Sequence, residues 1–133
     1  MSDSPSRPPA PSVSAFKSRS GLGRLWRALG YSWAGLRDAV RYEAAFRQEL
    51  AVGLPLVALA WVIAPGRLQA LALTAVIVFV WVVELLNSAL EALADTVTIE
   101  NHPLIARAKD MGSAAVMLSL VLAALVWGVV LWP

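Results

Sequence analysis

From Met111 to Trp132 the chain runs for 22 residues without a charged side chain. A helix rises about 1.5 Å per residue, so roughly 20 apolar residues cross the ~30 Å hydrocarbon core of a bilayer. A run of this kind specifies a membrane-spanning helix and sets the solvent against which the rest of the chain is read. Two further stretches fit the same reading. Leu50 to Ala64 is extended backwards by Ala44, Ala45 and Phe46 and is ended by Pro65 and Gly66. Leu68 to Val83 continues in helical register through LLNSALEALA. The expected spans are therefore 44–64, 68–95 and 108–132. With 59% hydrophobic and 15% charged residues, against about 45–50% and 25% for soluble domains, a chain this small carries more apolar surface than it can hide internally.

The N-terminal part differs. Residues 1–20 are rich in Ser and Pro and lack apolar periodicity, the composition of a disordered tail. They contain no apolar h-region of a secretory signal, so insertion through the chain's own spans is expected. From Leu22 to Val40 apolar residues recur at three and four, with arginines mostly between them, which predicts an amphipathic surface helix over about 22–41. Trp26 and Trp33 suit the headgroup level. Residues 1–47 hold eight basic side chains against three acidic ones. Basic loops stay in the cytoplasm, so this region and the loop with Arg107 and Lys109 are placed inside, and the Pro65-Gly66-Arg67 turn outside. The expected fold is an all-α membrane protein in which residues 21–133 form one domain of three transmembrane helices plus an N-terminal amphipathic surface helix.

Charged groups within a membrane helix cost about 2.5–3.5 kcal/mol each at its centre, so their pattern is informative. On the second span Glu84, Asn87, Glu91 and Asp95 are spaced three, four and four, within an arc of about 80° on one helix face. Glu84 falls just inside the apolar edge; Glu91 and Asp95 fall on the aqueous side. The first span enters with Glu43 and Arg47 on one face and Glu49 on another, and the third begins ARAKDMGSAA, which brings Lys109, Asp110 and Ser113 to the same depth. Carboxylates from two helices, such as Glu43 and Glu91, are oxygen ligands of the kind Mg²⁺ takes together with substrate phosphates. Lys109 offers a point charge for phosphate, and a partly desolvated Glu84 suits a general base.

This set reads as an interfacial phosphoryl-transfer enzyme, as a structural polar network, or as an ion pathway. Between Leu71 and Val83 only Thr74 is polar, which argues against a conduit. The chain has no Cys, a single His and no Gly-rich phosphate loop, which excludes thiol chemistry, a multi-His metal cage and the soluble kinase scaffolds. Ala108, Gly112 and Ala115 read as close helix packing, and Trp127 and Trp132 as an outer aromatic belt.

At EAAFRQE (43–49), VELLNSALEALAD (83–95) and RAKDMGSAA (107–115), with GYSWAGLR (30–37) on the surface helix, the sequence resembles the prokaryotic integral-membrane diacylglycerol kinase family. The resemblance covers about residues 21–132. It implies a homotrimeric bundle in the bacterial inner membrane that transfers the γ-phosphoryl group of MgATP to diacylglycerol, with sites shared between subunits and facing the cytoplasm, and with no nucleic-acid partner. It implies Glu84 as the base on the lipid hydroxyl and Asn87 as a positioning group beside it. Glu43 and Glu91 would hold Mg²⁺ and, through it, ATP. Tyr31, Asp95, Glu100, His102, Lys109 and Asp110 would serve the nucleotide, and Arg24, Arg47, Gln48, Glu49 and Ser113 the lipid. PLIA at 103–106 departs from the more usual polar and small residues of the family. A related branch phosphorylates undecaprenol; the FRQE and VELLNSALE forms look closer to the diacylglycerol branch.

Overall fold

The computed structural model describes residues 21–97 and 102–132. The tail expected over residues 1–20, and Glu100, lie outside the described residues. Four helices follow one another: α1 (Gly21–Tyr42), α2 (Ala44–Ile63), α3 (Arg67–Val97) and α4 (Pro103–Leu131). Among the described residues there is no strand. The expected all-α membrane fold is observed: α2, α3 and α4 are each long and apolar enough to cross a membrane, and α1 precedes them as an amphipathic helix. The chain divides between Gly35 and Leu36 into two units, and everything that follows on packing concerns the second.

Three of the helix boundaries have a local cause in the sequence. Glu43 adopts an extended conformation, φ −95° and ψ 112°, and separates α1 from α2. The Arg47 guanidinium reaches back to the end of α1, where its Nη1 donates to the carbonyls of Val40 at 3.3 Å and Arg41 at 3.2 Å; these belong to the last turn, whose carbonyls have no helical donor. α2 stops at Ala64, extended at ψ 141°, because the residue before a proline is pushed out of the helical region. Within α2, Pro55 withholds the amide that would otherwise bond the Ala51 carbonyl. α4 starts at Pro103, in the first turn where a missing N–H costs nothing, and His102 caps it by accepting the Leu104 amide on Nδ1 at 3.3 Å. The charged stretch RAKD is thus helical. The helix begins several residues before the apolar window from which the expected start at 108 was read.

α3 is the central element, with α2 packed on one side and α4 on the other. Its 31 residues span about 46 Å, more than the hydrocarbon core needs, so part of it projects beyond. Its buried stripe is Ala70, Leu73, Ile77, Val80 and Glu84, at spacings of three and four, the periodicity of one helix face. α2 presents Phe46, Gly53 and Ala60, and α4 presents Ser119 and Ala123. The small residues let backbones approach closely, as membrane helix pairs require.

Two indoles tie the helices together. Trp81 on α3 donates from Nε1 to the Glu49 carbonyl on α2, and Trp127 on α4 donates to the Leu73 carbonyl on α3, both at 3.3 Å. Trp127, read from sequence as part of an outer aromatic belt, therefore directs its N–H onto a neighbouring helix. In the most apolar window of each span only 17%, 28% and 11% of residues are buried inside the chain, for α2, α3 and α4 respectively. Such outward apolar faces suit acyl chains and other membrane helices.

Candidate active site

The register that buries Ile77 and Val80 on α3 carries on to Glu84, which is only 4% exposed. Glu84 is thus a carboxylate at the end of an apolar stripe. Asn87, Ser88 and Glu91 follow on the next turns, and with Glu43 at the α1–α2 junction and Ser113 on α4 they line a cavity of about 260 Å³. Ala45 and Val116 complete its wall. The extended backbone at Glu43, whose side chain makes no capping bond, leaves that carboxylate available to the cavity.

Asn87 organises the centre. Its Nδ2 donates to Glu91 Oε1 at 3.1 Å, while its Oδ1 is buried without a partner. Close approach of α4 is the cause, because Gly112 lies against Asn87 so tightly that a Cβ added there would collide with Oδ1. Glu43, Glu84 and Glu91 line the same cavity, and clustered like charges in a partly desolvated place repel strongly. A cation would relieve that repulsion.

The donor set fits a divalent cation of the Mg²⁺ type. It holds two carboxylates, Glu43 and Glu91, and one unpartnered amide oxygen, all hard oxygen donors. Among the described residues no three acidic, His or Cys side chains converge into a cage that encloses a metal alone. Mg²⁺ usually takes one or two carboxylates and completes its shell with water and substrate phosphates.

One turn beyond Glu91, Lys109 Nζ on α4 pairs with Asp95 Oδ1 on α3 at 2.6 Å, with both side chains still open to solvent. Asp110 is exposed next to this pair, and His102 is exposed at the start of the same helix. The bridge joins two of the charges singled out in the sequence and sets them beside the cavity's charged end.

The other nominated residues are placed elsewhere. Gln48 and Glu49 line a second, almost wholly apolar cavity of about 490 Å³ between α2, α3 and α4, where Glu49 Oε2 is buried without a partner. Arg47 is engaged by the carbonyls of α1. Arg24 and Tyr31 are exposed on α1, within the first unit. Two residues had no role assigned from sequence: Ser88 was hidden by its neighbour Asn87, and Trp81 gave no sign, because its meaning depends on Gly53 in another helix. Gly112, read as close helix packing, packs against Asn87.

The model of a family described as prokaryotic diacylglycerol kinase matches residues 30–131 of the chain. A diacylglycerol kinase of Escherichia coli is 46% identical over 114 residues, 85% of this chain and 93% of that protein. One from Pseudomonas aeruginosa is 43% identical over 120 residues, 90% and 98% respectively. One from Helicobacter pylori is 41% identical over 108 residues, 81% and 84%.

Proposed function

The chain belongs to the prokaryotic diacylglycerol kinase family, and on that premise we propose that the Glu84 cavity transfers the γ-phosphoryl group of ATP to the free hydroxyl of diacylglycerol. The oxygen of the lipid hydroxyl forms a bond to the γ-phosphorus, the bond from that phosphorus to the β,γ-bridging oxygen breaks, and ADP leaves with the products. Phosphatidic acid results, and the hydroxyl proton passes to the Glu84 carboxylate. The observation that carries this reading is a carboxylate only 4% exposed, at the end of an apolar stripe on α3, opening onto a cavity that holds two further carboxylates.

Glu84 stands at the boundary between the apolar stripe and the polar end of α3, where a membrane-dissolved alcohol and a water-soluble phosphate donor can meet. Positioning and electrostatic stabilisation make up most of catalysis in phosphoryl transfer. Asn87 serves the first by fixing the Glu91 carboxylate through its 3.1 Å hydrogen bond. Glu43 and Glu91 are the residues that would hold Mg²⁺, which when bound neutralises charge on the phosphates of ATP. Asp95, Lys109 and Asp110, grouped beyond Glu91, would meet the nucleotide, together with Tyr31, Glu100 and His102. Ser113, which lines the same cavity, Gln48, Glu49, Arg24 and Arg47 would line the lipid's approach.

The protein is a bacterial membrane protein, and we place it in the inner membrane with the N-terminus and the site on the cytoplasmic side, following the basic residues before α2 and in the segment of Arg107 and Lys109. We assign it as a homotrimer with sites completed between subunits. The largely uncovered apolar faces of α2 and α4 support an assembly.

Transfer of ³²P from MgATP by the purified protein in mixed micelles, offered diacylglycerol and undecaprenol side by side with an EDTA control, tests this reading. Metal-dependent labelling of diacylglycerol is expected. Labelling of undecaprenol alone would move the substrate to the polyprenol class, and labelling of neither by folded protein would return the cavity to a structural network.

A further inference from the structure

Trp81 stands one turn before Glu84 on α3, and its indole is held from two directions. Nε1 donates to the Glu49 carbonyl at 3.3 Å. The ring fills a notch on α2 that exists because residue 53 is glycine: a Cβ there would lie 2.7 Å from Trp81 Cζ2, 3.0 Å from Cε2 and 2.9 Å from Ile77 Cγ2. Real atoms do not approach so closely, and the atoms met are an indole ring wedged between helices and a β-branched side chain with little freedom. Glycine at 53 and tryptophan at 81 are therefore one packing unit.

The same ring forms part of the wall of the apolar cavity of about 490 Å³. That volume lies within the roughly 300–1,000 Å³ range of small-molecule sites. Its lining runs along α2 from Gln48 to Leu56, about 12 Å of helix, and its polar groups belong to Gln48 and Glu49 at the start of that stretch. A half-open groove that is apolar along its length, has Gln48 and Glu49 at one end and is lined by three spanning helices matches the chemistry of a fatty-acyl chain attached to a polar headgroup.

Resting on the lipid-kinase reading above, we infer that Trp81, seated in the notch at Gly53, sets the bore of an acyl-chain channel and is the specificity-determining residue for the lipid's hydrocarbon part. A flat, fixed indole narrows the channel, favouring straight chains over methyl-branched ones. Trp81 contacts neither the phosphates nor the reacting oxygen. Its effect falls on which lipid is used.

The test uses the full chain in mixed micelles at saturating MgATP, with diacylglycerols of equal chain length bearing straight or methyl-branched acyl groups. One methyl group's worth of fit in an apolar site changes kcat/KM by about tenfold or more. Trp81→Leu is expected to raise the branched-to-straight ratio of kcat/KM by about that factor while the KM for MgATP stays unchanged. Trp81→Phe keeps an aromatic wall without the N–H donor and is expected to preserve the ratio. Trp81→Met, flexible enough to pack beside Gly53, carries the same expectation as leucine should Trp81→Leu not fold. An unchanged ratio in both the leucine and methionine variants, in protein of native oligomeric size, overturns the inference. So does an equal loss toward both lipids with altered oligomeric size, which would seat a second copy of the chain in the groove. Failure of the parent protein to phosphorylate any diacylglycerol would instead overturn the lipid-kinase reading itself, and the inference with it.

Discussion

Asn87 Nδ2 donates to Glu91 Oε1 at 3.1 Å across one turn of α3, while Asn87 Oδ1 stays buried without a partner. The amide thus fixes one cavity carboxylate with its donor end, while its acceptor end lies against Gly112 of α4. Asn87→Ala removes this hydrogen bond without lowering helix propensity, since alanine is the better helix former. A hydrogen bond to a charged group contributes about 1.5–3 kcal/mol, so kcat/KM for MgATP should fall by about tenfold or more. Steady-state kinetics in mixed micelles, with Mg²⁺ varied, would measure it. An unchanged Mg²⁺ dependence would contradict the positioning role.

Gly112 gives Asn87 its place. Because a Cβ at 112 would meet Asn87 Oδ1, Gly112→Ala must push α4 away from α3 or turn the amide. Overpacking of this kind costs about 1–3 kcal/mol. Thermal unfolding in detergent should show a lowered midpoint together with reduced turnover. Ser113→Ala, its neighbour on the more open side of α4, should leave the midpoint unchanged.

The Lys109–Asp95 pair, at 2.6 Å with both side chains open to solvent, should matter little to folding, since exposed ion pairs are screened and entropically costly to hold. Lys109→Ala should therefore leave the unfolding midpoint where it is and raise the KM for MgATP. A large drop in midpoint with unaltered KM would make the bridge structural.

If sites are completed between subunits, mixing inactive Glu84→Gln protomers with inactive Glu91→Ala protomers should restore part of the activity, because some mixed assemblies then hold one intact set. The recovered rate should follow the mixing ratio with a maximum at intermediate composition. No recovery at any ratio would place each site within a single subunit.

The features readable from the sequence were those carried by one helix at a time. The spacing of Glu84, Asn87, Glu91 and Asp95 follows from 100° per residue alone, and Pro65 marks the end of the first span by pushing the residue before it out of the helical region. Three long ordered motifs brought the family into view as well. Relations between helices were not readable, because nothing in the chain order says that Gly53 faces Trp81, that Gly112 faces Asn87, or that the Trp127 indole meets the Leu73 carbonyl. Arg47 illustrates the same limit. Its place four residues after Glu43 was legible, but not that the bend at Glu43 would set its guanidinium against the carbonyls that α1 leaves open.

Turnover of Glu84→Gln, in protein shown to bind MgATP and to assemble like the parent, bears on the role of the buried carboxylate with the fewest intermediate assumptions. The substitution keeps shape and hydrogen bonding and removes the proton acceptor. General base catalysis contributes about 10²–10⁴-fold, so phosphatidic acid formation at saturating diacylglycerol should fall by that order with the KM for MgATP little changed. Turnover equal to the parent's would show that the lipid hydroxyl loses its proton elsewhere, and Glu84 would then be no more than a polar link in the α3 packing stripe.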